Sequence, residues 1–249
     1  MDTAKRNPWL IKPKPRQHAA VKLLCFPYAG GGAAVYQSWA ERLPDAVELN
    51  IVQLPGRGTH LMQSPIACMN TLIETLLSNI TEIIRDRYVV FGHSLGSRIG
   101  FELVRRLVAA GQRGPLHFFA SGSASPKRPS LCHGTADLPE QAFIDKLRVM
   151  NGTPPEVLAN RELMQLLLPM LRADFRLAET YSFTDPLTLP TGLTLLSGTR
   201  DDIAPEHLAS WADFFTHSET VEFEGGHFFI DTHRQQVLDV VNARLQAIL

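Results

Sequence analysis

The chain has 249 residues, of which 45% are hydrophobic and 20% charged, with a formal net charge of −1. That length and apolar content suit one α/β domain with a large buried core. The near-neutral balance gives no global electrostatic reason to expect a nucleic acid or an anionic membrane as partner.

Met1 to Gln17 carries Lys5, Arg6, Lys12, Lys14 and Arg16 among prolines but no apolar h-region. It therefore reads as an extended surface arm pinned by Trp9, and not as a secretory signal. No stretch approaches a membrane span. The three cysteines, Cys25, Cys68 and Cys132, fit neither a metal-ligand spacing nor an even disulfide set. Structural thiols in a reducing cytoplasm are the expectation.

Val21 to Pro27 is a short apolar run ended by Pro27 and Gly30 to Gly32, which predicts a buried strand feeding a loop. Ala33 to Leu43 has helical character. Leu49 to Leu54 is a second strand, stopped by Pro55 and Gly56, and Met69 to Arg85 shows helical apolar periodicity. Arg87 to Gly92 is a third strand, leading into a helix over Ser97 to Ala110 with Gly111 as its C-cap. His117 to Ser121 and Leu193 to Ser197 complete the core strands, and Thr220 to Phe223 is a shorter one.

Strands alternating with helices imply an α/β fold with a mostly parallel central sheet flanked by helices. Between Ser125 and Pro190 no core strand is evident. Helices are expected there over Asp137 to Met150, Pro155 to Ala159 and Asn160 to Tyr181. An insertion of that kind would sit over the carboxyl ends of the strands as a helical lid, within a single domain spanning residues 1–249.

The chemistry is read from Gly92-His93-Ser94-Leu95-Gly96. A serine hydroxyl is a poor nucleophile until a base takes its proton, so it must be exposed and within reach of a histidine. Gly-x-Ser-x-Gly between a strand and a helix gives that exposure and indicates an α/β-hydrolase fold. Chain order in this fold is serine, acid, histidine, which confines the search to residues after Ser94. Asp201 and Asp202 follow a strand and compete for the acid's role, with Asp201 preferred. His227, after Gly225 and Gly226, is the candidate base. His93 reads as a packed residue of the turn, and His207, His217 and His233 as residues of surface helices or their ends.

The oxyanion needs two donors already in place. Leu95 supplies one backbone N–H. Ala29, in the glycine-rich loop after the first strand, is chosen for the other, with Tyr28 and Gly30 as competitors. The same glycines could suggest phosphate binding, but neither the Gly-Lys-Ser/Thr ending nor the GxGxxG spacing is present.

Together, FPYAGGGAAVYQSWA, QLPGRG, VVFGHSLGSRIGFEL, NGTPPEVLANRELMQLLLPMLRADF and GGHFFI resemble the external, type II editing thioesterases of nonribosomal peptide and polyketide synthases. The likeness runs from about Trp9 to the C-terminal helix. It implies hydrolysis of misprimed or stalled acyl groups from the 4′-phosphopantetheine arm of carrier proteins, with no cofactor of the enzyme's own. It also implies a triad of Ser94, Asp201 and His227, oxyanion donors on Ala29 and Leu95, and a monomer. Family members often have Pro or a small residue after the acid, where this chain has Asp202.

In the lid, Leu163, Met164, Leu167, Leu168, Met170, Leu171 and Phe175 either wall an acyl chamber or form ordinary core. Arg57, Arg98, Lys127 and Arg128 could form a basic rim for an acidic carrier. Two other readings use the same residues differently: a small-ester carboxylesterase or lipase, and a non-catalytic scaffold on a hydrolase fold.

Overall fold

The computed structural model describes residues 7–128 and 133–249; Lys5, Arg6 and Cys132 lie outside them. Among the described residues, seven strands form one sheet in the order β1-β3-β2-β4-β5-β6-β7. They are β1 (Leu10–Ile11), β2 (Val21–Phe26), β3 (Val47–Val52), β4 (Tyr88–His93), β5 (His117–Ser121), β6 (Leu189–Gly198) and β7 (Phe215–Phe223). β1 pairs antiparallel with β3 and every other pairing is parallel. The main helices are α1 (Met69–Asn79), α2 (Leu95–Ala109), α3 (Glu140–Met150), α4 (Pro155–Ala159), α5 (Arg161–Thr180) and α6 (Arg234–Ile248).

Side chains of a strand alternate between the two faces of its sheet, and the apolar residues of β2 and β4 divide accordingly. Leu24, Phe26, Tyr88 and Val90 join a core with Leu72 and Leu76 of α1 and Leu103 of α2. Leu23, Cys25, Val89 and Phe91 face the other way, towards Val237, Val241 and Leu245 of α6. Cys25 is wholly buried, as expected of a core thiol, whereas Cys68 is exposed. Three helices, α3 to α5, occupy the connection between β5 and β6 and hold a third core of their own, with Phe143, Leu147, Met164 and Leu168.

Several expectations need correction. From residue 7 the N-terminal arm is pinned by Trp9 as expected, but it also joins the sheet. Leu10–Ile11 pairs with β3, Trp9 is buried, and the Arg16 guanidinium caps carbonyls of Leu43 and Val47. The expected helix over residues 33–43 is a short α-turn, Ala34–Gln37, followed by a 3-10 turn, Ser38–Glu41. The helix expected over Met69 to Arg85 breaks at Ile80 into two. β7 begins five residues before the expected Thr220, and His217 lies in this strand, not on a helix.

Candidate active site

β4 ends at His93 and α2 begins at Leu95, so Ser94 alone makes the turn, with φ 53° and ψ −118°. A non-glycine residue in that region is strained, and such strain persists only where the surroundings enforce it. Here the enforcement is close packing on both sides. A Cβ on Gly92 would stand 2.4 Å from the Ser97 nitrogen, and one on Gly96 only 2.0 Å from the Phe26 carbonyl oxygen. The Ser94 N–H donates to the Ser121 carbonyl at 2.8 Å, and Ser97 Oγ donates to the Gly92 carbonyl at 2.8 Å. Ser94 is thereby held at the N-terminus of a fifteen-residue helix, whose free N–H groups favour developing negative charge.

Asp201 follows β6 and His227 follows β7, the two neighbouring strands. His227 Nδ1 stands 2.9 Å from Asp201 Oδ2, the aspartate side chain being 5% exposed and the imidazole 30%. A carboxylate there accepts a hydrogen bond from Nδ1–H and leaves Nε2 free as the basic nitrogen. Asp202 is exposed and borders the same cavity. Of the two competing carboxylates, Asp201 is the one bonded to His227.

Ser94, Asp201 and His227 line one cavity of about 400 Å³ together with Ala29 and Leu95. The structure thus brings all five residues singled out from the sequence to one place. Tyr28, a competitor for the donor role, lies there too. Apolar walls come from Leu147 and Met150 of α3 and from Leu171, Phe175 and Ala178 of α5. Of the seven apolar residues expected to wall an acyl chamber or form core, only Leu171 and Phe175 reach the cavity, while Met164, Leu168 and Met170 fill the helices' own core. The reason is geometric: the segment is several helices thick, so one apolar stripe faces the sheet and another faces its neighbours.

The proposed basic rim does not form as drawn. Arg57 and Arg98 are buried, at 6% and 3% exposure, and donate to backbone carbonyls of Gly31 and Tyr181. Lys127 pairs with Asp213 at 2.8 Å and lies over the Phe214 ring.

His93 has a larger part than simple packing. Its ring is fully buried, with Nε2 3.0 Å from the His227 carbonyl and Nδ1 2.8 Å from Ser121 Oγ. Burial holds its pKa well below the usual histidine value, with the neighbouring His227 adding to the effect. The carbonyl can only accept, so Nε2 carries the proton of the neutral ring and Nδ1 accepts from the Ser121 hydroxyl. The residue before the serine thus anchors the backbone that carries His227. Its position next to Ser94 was the only sequence signal for this.

A mostly parallel sheet, a strained serine turn at the end of its central strand and a histidine-carboxylate pair after the next strands define an α/β-hydrolase of the serine type. Comparison with known proteins narrows the class. A family model described as a thioesterase domain matches residues 21–245, and the chain belongs to that family and is a thioester hydrolase. It is 36% identical over 246 residues to a Brevibacillus parabrevis protein named linear gramicidin dehydrogenase LgrE, covering 97% of this chain and 94% of that one. Despite that name, the present chain has no dinucleotide-binding GxGxxG sequence. Among solved structures, ClbQ of the colibactin NRPS/PKS pathway superposes with a TM-score of 0.85 at 34% identity, covering 91% of this chain and 97% of that one. BorB, a type II thioesterase from the borrelidin cluster, also gives 0.85, at 28% identity over 95% of this chain and 97% of its own.

Proposed function

We propose that this chain removes misprimed or stalled acyl groups from the 4′-phosphopantetheine arm of carrier-protein domains in nonribosomal peptide or polyketide synthesis. The observation that carries the reading is the Asp201–His227 pair facing an apolar-walled cavity shared with Ser94. The pathway context of LgrE, ClbQ and BorB supports the carrier-bound substrate.

In the first half-reaction His227 Nε2 takes the Ser94 proton as Oγ attacks the thioester carbonyl. The oxyanion accepts from the N–H groups of Ala29 and Leu95. Collapse of the tetrahedral adduct breaks the C–S bond, and the pantetheine sulfur leaves with the proton held by His227. Water then gives a proton to His227 and attacks the acyl-serine. The carboxylic acid departs and Ser94 regains its proton. Every proton moves between the chain's own groups, substrate and water, so the reaction as written calls for no cofactor. The segment from about 125 to 190 acts as a lid over the acyl group, within one domain. The enzyme works as a monomer in the cytoplasm, beside the synthases that carry its substrates. No described helix is long and apolar enough to cross a membrane.

Two measurements test this. Ser94→Ala should abolish thiol release while the protein still binds an acyl carrier protein. The wild type should show a higher kcat/KM for an acyl-pantetheine carrier protein than for an oxygen ester of the same acyl chain. Equal values for the two substrates would overturn the editing role.

A further inference from the structure

One buried ion pair joins the acyl wall to the oxyanion loop. Asp174 sits on α5 between the cavity residues Leu171 and Phe175 and is 1% exposed. Its Oδ1 accepts from Arg57 Nη2 at 2.6 Å. Its Oδ2 accepts from Arg57 Nη1 at 2.7 Å and from the Gly30 backbone N–H at 2.7 Å. Arg57 Nη1 also donates to the Gly31 carbonyl at 2.9 Å.

Gln53 completes the frame by donating to the Arg57 carbonyl and accepting from the Ala33 N–H, both at 2.9 Å. The loop also lies directly on the helix, since a Cβ on Gly30 would stand 2.8 Å from Leu171 Cδ2.

A buried ion pair is a weak device for stability, because apolar residues of similar size often serve as well or better. Charge-assisted, bidentate bonds do give fixed direction. Here that direction falls on the peptide joining Ala29 to Gly30, one unit beyond the Ala29 N–H that the proposed mechanism assigns to the oxyanion. Resting on the function proposed above, we propose that Asp174 and Arg57 are positioning residues. They hold the Ala29 donor in register with Leu95, so that the helix walling the acyl chamber also sets the geometry of the oxyanion site. A displacement of α5 pulls the Asp174 carboxylate away from the Gly30 N–H and slackens the neighbouring Ala29 donor.

The test removes both charges together, as Arg57→Met with Asp174→Leu, and follows an acyl-pantetheine thioester and a trifluoromethyl ketone analogue that forms an oxyanion adduct on Ser94. Fluorophosphonate titration counts the competent sites. Removing an oxyanion donor outright typically costs about 10²- to 10³-fold in kcat, so a slackened donor should lower it about 30- to 100-fold. KM should stay within about twofold, and ketone affinity should fall in step with kcat. The neutral pair Arg57→Gln with Asp174→Asn keeps an acceptor for Gly30 but loses the fork and both charges, so its kcat and ketone affinity should fall together, to values between those of the wild type and the apolar double variant.

A purely structural pair would shift Tm and leave kcat per titrated site and ketone affinity at wild-type values, which would overturn the proposal. Should the apolar double variant not fold, Arg57→Lys, which keeps the charge but loses the fork, carries the same test. It should lower kcat and ketone affinity together, and wild-type values for both would overturn the proposal. If the wild type itself neither cleaves the thioester nor takes up fluorophosphonate, the proposed function falls, and this inference with it.

Discussion

Replacing Asp201 by Asn separates the two adjacent carboxylates by a rate that the structure lets one work out. The Asp201 carboxylate is almost fully buried and 2.9 Å from His227 Nδ1. When the imidazole takes the serine proton, charge centres about 4 Å apart attract by about 4 kcal/mol at an effective permittivity of about 20. That corresponds to about 10³-fold in rate. The imidazole is 30% exposed, so water screens part of the attraction and about 10²- to 10³-fold is expected. Asn also offers an N–H where Nδ1 needs an acceptor, which favours the wrong tautomer. Asp202 is exposed, and its loss should cost less than about 1 kcal/mol. Thiol release from an acyl-pantetheine thioester, followed with a chromogenic disulfide and normalised to fluorophosphonate-titrated sites, gives both values. If Asp202→Asn is the more damaging change, or if Asp201→Asn stays within threefold of wild type, the pairing in the site is not what drives the base.

Three further outcomes follow from the packing. His117 is lowered from 6.5 to about 4, chiefly by burial, and burial lowers His93 well below 6.5. Above pH 6.5 both are neutral in folded and unfolded chains alike. As pH falls further the unfolded chain binds protons that the fold refuses, so each group costs about 1.4 kcal/mol of stability per pH unit, about 3 kcal/mol for His117 by pH 4. Urea unfolding between pH 7 and 5 should show this slope, reduced in His117→Gln; an unreduced slope contradicts the assignment. Gly96→Ala places a Cβ 2.0 Å from a backbone oxygen that cannot yield, so a loss of about 3 kcal/mol or more should appear in thermal unfolding. Phe175 touches the cavity on one side and the Phe143 ring on the other. Phe175→Ala should cost about 3 kcal/mol and move acyl preference towards bulkier chains in a panel of acyl carrier substrates.

The sequence made the site more legible than its support. Ser94, Asp201 and His227 were readable because turn glycines and chain order constrain them before any contact is known. The acid is ambiguous in the sequence only because two aspartates adjoin; in the structure Asp201 is the one bonded to His227. β7 was half seen because its early residues, Thr216 to Thr220, are exposed and polar, as suits a sheet edge. β1 was missed because two residues carry no periodicity. Arg57 and Asp174 lie 117 positions apart, and nothing in local pattern links a loop arginine to a helix aspartate. From the sequence the Arg57 side chain therefore reads as a surface charge. His93 reads as a packed residue of the turn, and it is one, but its anchoring role stays hidden because its partners are a hydroxyl and a carbonyl brought close only by the strand ends.

The bond from Asp174 to Gly30 also bears on how such enzymes can be recombined. A chimaera that exchanged only the helices between β5 and β6 would bring in a foreign wall, but would seat it on a native loop and arginine shaped for another aspartate. Segments 28–33, 53–58 and 161–180 are tied together by these bonds despite their separation in the chain. Substrate range should therefore transfer between relatives in blocks that include all three, and libraries drawn within α5 alone should lose turnover more often than they redirect it.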